Sequence, residues 1–153
     1  MARATILQVE DDSNDVLLME HACRQAGVPV DLQAVGDADQ ALAYLRGVGH
    51  FANREQFPLP QLILLDLRLP RRSGLEVLEW MRRNERFRRL PVVVLSSSTH
   101  GMDLQRSYDL GANSYLVKPV GFEPLVEVVK ALYHYWVELN QQPEPARAEP
   151  SPA

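Results

Sequence analysis

Short apolar runs alternate along this chain with segments in which apolar residues recur every three or four positions. Thr5-Ile6-Leu7-Gln8-Val9 reads as a strand. From Asp15 to Ala26, Val16, Met19, Cys23 and Ala26 fall at helical spacing, and Gly27 with Pro29 supplies a stop. Val30 to Val35 reads as a second strand. Asp37 then caps a helix with Ala38, Ala41, Leu42 and Leu45 on one face. Leu62-Ile63-Leu64-Leu65 and Val92 to Leu95 are unbroken apolar runs, the signature of strands covered on both faces. Between them, Gly74 to Arg83 places Leu75, Leu78, Trp80 and Met81 on a helix. A weaker helical pattern covers Met102 to Leu110 and stops at Gly111. Tyr115-Leu116-Val117 is a last short strand, and Phe122 to Leu139 the longest helix.

Strand and helix thus alternate strictly, five times over. Parallel strands need crossover connections and helices supply them, so the alternation predicts an α/β fold, a parallel sheet with helices on both faces. In such sheets ligands bind beyond the carboxyl ends of the strands. Residues that carry chemistry are therefore expected just after the first, third, fourth and fifth strands. Two segments fall outside the pattern. Residues 47–60 form a long connection containing Phe51, Phe57 and two prolines. Residues 141–153 hold prolines at 143, 145, 150 and 152 and no large apolar residue, so a disordered tail is expected beyond a single domain at 3–140.

Composition narrows the function classes. The 153 residues suffice for one domain with a real core. The formal net charge is −4 and no lysine/arginine run is present, so neither nucleic acid nor anionic membrane is an expected partner. The single cysteine, Cys23, excludes an intrachain disulfide and a cysteine-based zinc site, and its apolar helical setting predicts a buried thiol. No apolar run is long enough to span a membrane and no signal peptide is visible; a cytoplasmic protein is expected.

The strand ends hold the candidate chemistry. Glu10-Asp11-Asp12 follows the first strand and Asp66 ends the third. Adjacent strands would bring Glu10, Asp11 and Asp66 into one small site, where like charges raise one another's pKa unless a cation joins them. Carboxylates without cysteine or a histidine set favour a hard ion, Mg2+ or Mn2+. Taken alone, an acidic pair after a strand is as readily a helix cap, and Asp12 or Ser13 fits that role. Ser96, ending the fourth strand, and Lys118, ending the fifth, add a hydroxyl and an ammonium at the same edge. A carboxylate that attacks phosphorus gives an acyl phosphate; a metal and a lysine offset the charge.

These stretches resemble the response-regulator receiver family over about residues 3 to 138: Ile6 to Asp11; Leu64 to Pro70 with Ser73-Gly74; Pro91 to Ser96; and Gly111 to Pro119. The resemblance implies a flavodoxin-like, doubly wound (βα)5 sheet of strand order 2-1-3-4-5. It also implies a protein that accepts a phosphoryl group on Asp66 from a sensor histidine kinase and catalyses only its own phosphorylation and dephosphorylation. Asp11, Asp66 and the main-chain carbonyl of Arg68 would ligate Mg2+, with Glu10 reaching it through a water. Lys118 would bond a phosphoryl oxygen; Ser96 and Tyr115 would act as switch residues; Pro119 would follow a cis bond. The Phe51-Ala52-Asn53 insertion, Ser107 to Leu110 and the aromatic segment Tyr133 to Trp136 are similar to single-domain regulators of phytochrome kinases.

Simpler readings stand beside these. Tyr115 is equally a half-buried strand aromatic, the Arg68 side chain either shields the acyl phosphate or points to solvent, and Ser97 to Thr99 read as loop and cap. The last helix carries two apolar stripes. One packs on the sheet; the other, Val128, Leu132, Tyr135 and Leu139, would be exposed and predicts a homodimer unless the 47–60 insertion covers it. With a proline-rich tail and no room for a DNA-binding domain, output through protein–protein contact is expected. A haloacid-dehalogenase-type phosphatase would want an aspartate two residues after the nucleophile, where Arg68 stands, and a nucleotide switch would want a phosphate-binding loop after the first strand.

Overall fold

A computed structural model describes residues 3–143. The elements run β1 (Ala4–Val9), α1 (Ser13–Ala26), β2 (Val30–Val35), α2 (Ala38–Arg46), β3 (Leu62–Leu65), α3 (Gly74–Arg83), β4 (Val92–Ser96), α4 (Gly101–Asp109), β5 (Ser114–Val117) and α5 (Phe122–Leu132). All strand pairs are parallel and the sheet order is β2-β1-β3-β4-β5, as expected.

Side chains alternate across the sheet, so each strand feeds two cores. Leu7, Val9, Ile63, Leu65, Val92 and Val94 pack beneath α2 and α3. Ile6, Leu62, Leu64, Val93 and Leu95 pack beneath α1 and α5, together with Met19, the buried Cys23 thiol, Val126 and Val129. Burial pushes that thiol up to about 11, which leaves it protonated at neutral pH. Local signals set the helix ends. The Asp12 carboxylate accepts from the backbone N–H groups of Asn14 and Asp15, and Gly27 closes α1 at φ 69°. Among the described residues no helix is long and apolar enough to cross a membrane.

The 47–60 insertion packs on the α2–α3 side. Phe51 and Phe57 join Tyr44, with ring centroids 5.2 and 6.0 Å from it. Arg54 ties the segment down: its guanidinium donates to the carbonyls of Tyr44, Leu45 and Phe57, the first two at the carboxyl end of α2. The two aromatic residues therefore do not cover the last helix. Leu59 and Pro60 face Trp136 and Val137 across an open groove of about 430 Å³.

The last helix differs from expectation. After Leu132 it widens into a π-helical segment, Tyr133–Leu139, closed by the Asn140 N–H donating to the Tyr135 carbonyl. Within it Tyr133, Trp136 and Val137 stay against the core. Leu132, expected on the exposed stripe, is buried in that core, and Val128 is half-buried against it. Only Tyr135 and Leu139 of that stripe are exposed, at 51% and 57%. A second correction concerns the Lys118–Pro119 bond. No peptide bond among the described residues is cis, so this bond takes the trans form that even X–Pro bonds prefer. Of the expected tail, only residues 141–143 are described. Gln142 there donates to the Gln61 carbonyl at 2.8 Å, and the rest lies outside the described residues.

Gly74 opens α3 directly behind Asp66. A Cβ on Gly74 would come within 2.1 Å of the Asp66 carbonyl oxygen. Gly74→Ala is expected to lower unfolding free energy by about 1–3 kcal/mol through this overpacking, measured by urea unfolding against the unmodified protein.

Candidate functional site

Strand register assembles the site. Val9 pairs with Leu65, so Glu10 and Asp66 leave the sheet side by side. The Asp66 N–H donates to the Val9 carbonyl at 3.0 Å and the Glu10 N–H to the Val35 carbonyl at 2.9 Å. On the other flank Ser96 pairs with Val117, and the Lys118 N–H donates to the Ser96 carbonyl at 2.8 Å. One more backbone hydrogen bond beyond the strand thus fixes Glu10, Asp66 and Lys118.

Lys118 Nζ reaches back across the pocket. It donates to Asp66 Oδ2 at 2.8 Å, Glu10 Oε1 at 2.9 Å and Asp15 Oδ2 at 2.8 Å. Glu10 and Asp66 are buried, so these contacts are only weakly screened by water. Asp66 Oδ1 accepts from the backbone N–H of Arg68 at 3.0 Å. Glu10 Oε2 is buried and has no hydrogen-bond partner. Carboxylate oxygens of Glu10, Asp11 and Asp66 lie within 4.8 Å of one another, a spacing able to hold a metal ion. An orphaned buried carboxylate oxygen within an all-oxygen, net-negative set fits a hard divalent cation.

The carboxyls do not share the pocket equally. Burial, followed by the neighbouring Asp66 carboxylate, pushes Glu10 up to about 9 against the pull of Lys118. Burial would also raise Asp66, but the adjacent Glu10 carboxyl and the bonds from Lys118 and the Arg68 N–H outweigh burial and hold it below the usual range. A proton is thus favoured on Glu10 over Asp66, the division expected of adjacent carboxylates. Burial alone would lower Lys118, yet its bonds to Asp15, Asp66 and Glu10 raise it. The Lys118 bond is also the largest cause of the lowering of Asp15.

Ser96 is fully buried at the end of β4, and its Oγ accepts from the Ser98 N–H at 3.2 Å. Tyr115 donates its hydroxyl proton to the Ser98 carbonyl at 3.0 Å. Ser98, read from sequence as loop, is the joint between them: its Oγ donates to Asp103 Oδ2 at the start of α4 and accepts from the His100 N–H. All its polar groups are engaged. Asp15 is the other residue that sequence reasoning missed. A first-turn acid is ordinarily a partner of the helix dipole, and only the three-dimensional path of Lys118 shows a second role.

The Response regulator receiver domain family matches residues 6–130, and the chain belongs to that family. Among its relatives, Probable methanogenesis regulatory protein FilR2 of Methanothrix harundinacea is 42% identical over 144 residues, covering 92% of this chain and 88% of that protein. Response regulator Rcp1 of Synechocystis sp. is 36% identical over 133 residues, covering 87% and 88%. The structure of the Mn(2+)-bound form of Rcp1 superposes with a TM-score of 0.80, at 35% identity over 92% of this chain and 99% of that one. The phosphorylated cyanobacterial phytochrome response regulator RcpA superposes with a TM-score of 0.85, at 38% identity over 94% of this chain and all of that one.

The raised Glu10 gives a pH signature. Between the unfolded value of 4.5 and about 9, the folded chain holds a proton that the unfolded chain has lost, so stability falls as pH rises through that window. Asp66 acts oppositely, stabilising above its unfolded value and losing that contribution in acid. Without divalent cation, the urea midpoint is expected to be lower at about pH 9 than at about pH 6, with the difference reduced in Glu10→Gln; matched urea titrations at the two pH values check this.

Proposed function

We propose that this chain is a stand-alone response regulator that accepts a phosphoryl group on Asp66 from a sensor histidine kinase. The observation that carries this reading is the convergence of the buried Asp66 carboxylate with Lys118 Nζ at 2.8 Å beside two further acids. An Asp66 carboxylate oxygen attacks phosphorus as the bond from phosphorus to the donor imidazole nitrogen breaks, and the imidazole leaves with a proton. Lys118 moves a hydrogen bond onto the phosphoryl oxygens. Asp11, Asp66 and the Arg68 carbonyl would hold Mg2+ or Mn2+, with Glu10 acting through a water. The cation's chemistry is charge neutralisation at the transferring group.

The readout follows from the β4–α4 loop. Ser96 bonds the phosphoryl group, and Tyr115 follows through Ser98. Similarity to Rcp1 and RcpA over nearly their full lengths supports a phytochrome-type kinase partner and output through protein contact. A homodimer is proposed through the exposed end of the last helix, Tyr135 and Leu139, with Val128 at its edge; buried Leu132 supports the helix from beneath.

Incubation with acetyl phosphate and Mg2+, followed by intact mass, is expected to show one phosphoryl adduct, absent in Asp66→Asn. Lys118→Ala should slow its formation about a hundredfold. Turnover of phosphomonoesters without an adduct would instead support a phosphatase. For the dimer, sedimentation should show dissociation in Tyr135→Glu/Leu139→Glu, and an unmodified protein that is monomeric at tens of micromolar removes the dimer reading.

A further inference from the structure

Lys118 presents three N–H donors, and three carboxylates take them all. Two of these acceptors, Glu10 and Asp66, belong to the acidic group able to hold a cation; Asp15 does not. A divalent cation entering that group competes with the ammonium for the same oxygens, and two cations side by side repel. Asp15 is the acceptor that remains.

Its position is well fixed. The Asp12 carboxylate holds the Asp15 N–H at 3.3 Å in the first turn of α1, and α1 packs along α5. The Asp15 side chain stands at the solvent edge of the pocket, more exposed than Glu10 or Asp66. Lys118 can therefore swing outward by pivoting about this one contact without leaving the site.

We propose that Asp15 is a positioning residue for Lys118, drawing the ammonium to the edge of the pocket so that Glu10 and Asp66 can take up a divalent cation while the lysine stays within reach of a phosphoryl group. The inference rests on the cation-dependent reading given above. It separates Asp15 from an ordinary helix-dipole partner: its effect on cation binding runs through Lys118.

The test is a double-mutant cycle on Mg2+ affinity, by calorimetry with Mg2+ alone, on the unmodified chain, Asp15→Asn, Lys118→Met and the double variant. Thermal unfolding checks that each is folded. Asp15→Asn is expected to weaken Mg2+ binding about three- to tenfold when Lys118 is present and less than about twofold in Lys118→Met. Asp15→Glu, which keeps the charge, should recover most of the affinity. Equal weakening in both backgrounds makes Asp15 a through-space charge and overturns the proposal, as does unchanged affinity in Asp15→Asn. An unmodified chain that binds no Mg2+ overturns both this inference and the metal reading, whereas binding that ignores Asp15 overturns this inference alone.

Discussion

One ammonium group holds the functional end of this domain together. Lys118 comes from the last strand, Asp66 from the central one, Glu10 from the strand beyond and Asp15 from the helix that follows. Removing the lysine would leave a group of neighbouring carboxylates, two of them buried, with no cationic partner in the pocket. Such a cluster is costly, and each member would resist ionisation. The register of β1 with β3 and of β4 with β5 matters to function because it lets a single side chain satisfy carboxylates drawn from separate parts of the chain.

The same arrangement carries its own tension. The cluster has more negative than positive charge, and burial sharpens the imbalance. The proton kept on Glu10 and the unpartnered Glu10 Oε2 are two expressions of it. A hard divalent cation relieves both at once. On the proposed reading, cation binding, proton release and movement of Lys118 would belong to one coupled event.

Much of this was legible in the sequence because the signals were local or periodic. The unbroken apolar runs at Leu62 to Leu65 and Val92 to Leu95 could only be doubly covered strands, and strict alternation then fixed where Glu10, Asp66, Ser96 and Lys118 would end up. What escaped depended on long-range geometry. Nothing near Asp15 in sequence signals a lysine more than a hundred positions away. Ser98 was hidden among three similar neighbours, and its role lies in four bonds that reach β4, the cap of α4, α4 itself and β5. On the last helix the misread positions, Val128 and Leu132, lie in its regular α-helical part, where the face packed on the core is broad enough to take in residues assigned to both stripes.

Gly74 sits so close behind the Asp66 carbonyl that no side chain fits between them. That contact gives the two flanks of Asp66 different surroundings. Toward α3 the Asp66 main chain is braced against packed backbone. Toward β4 and β5 it faces a hydroxyl, a lysine tip and a loop held by exchangeable hydrogen bonds. If Asp66 is modified as proposed, the packed backbone at Gly74 leaves the β4–β5 side as the one with room to respond.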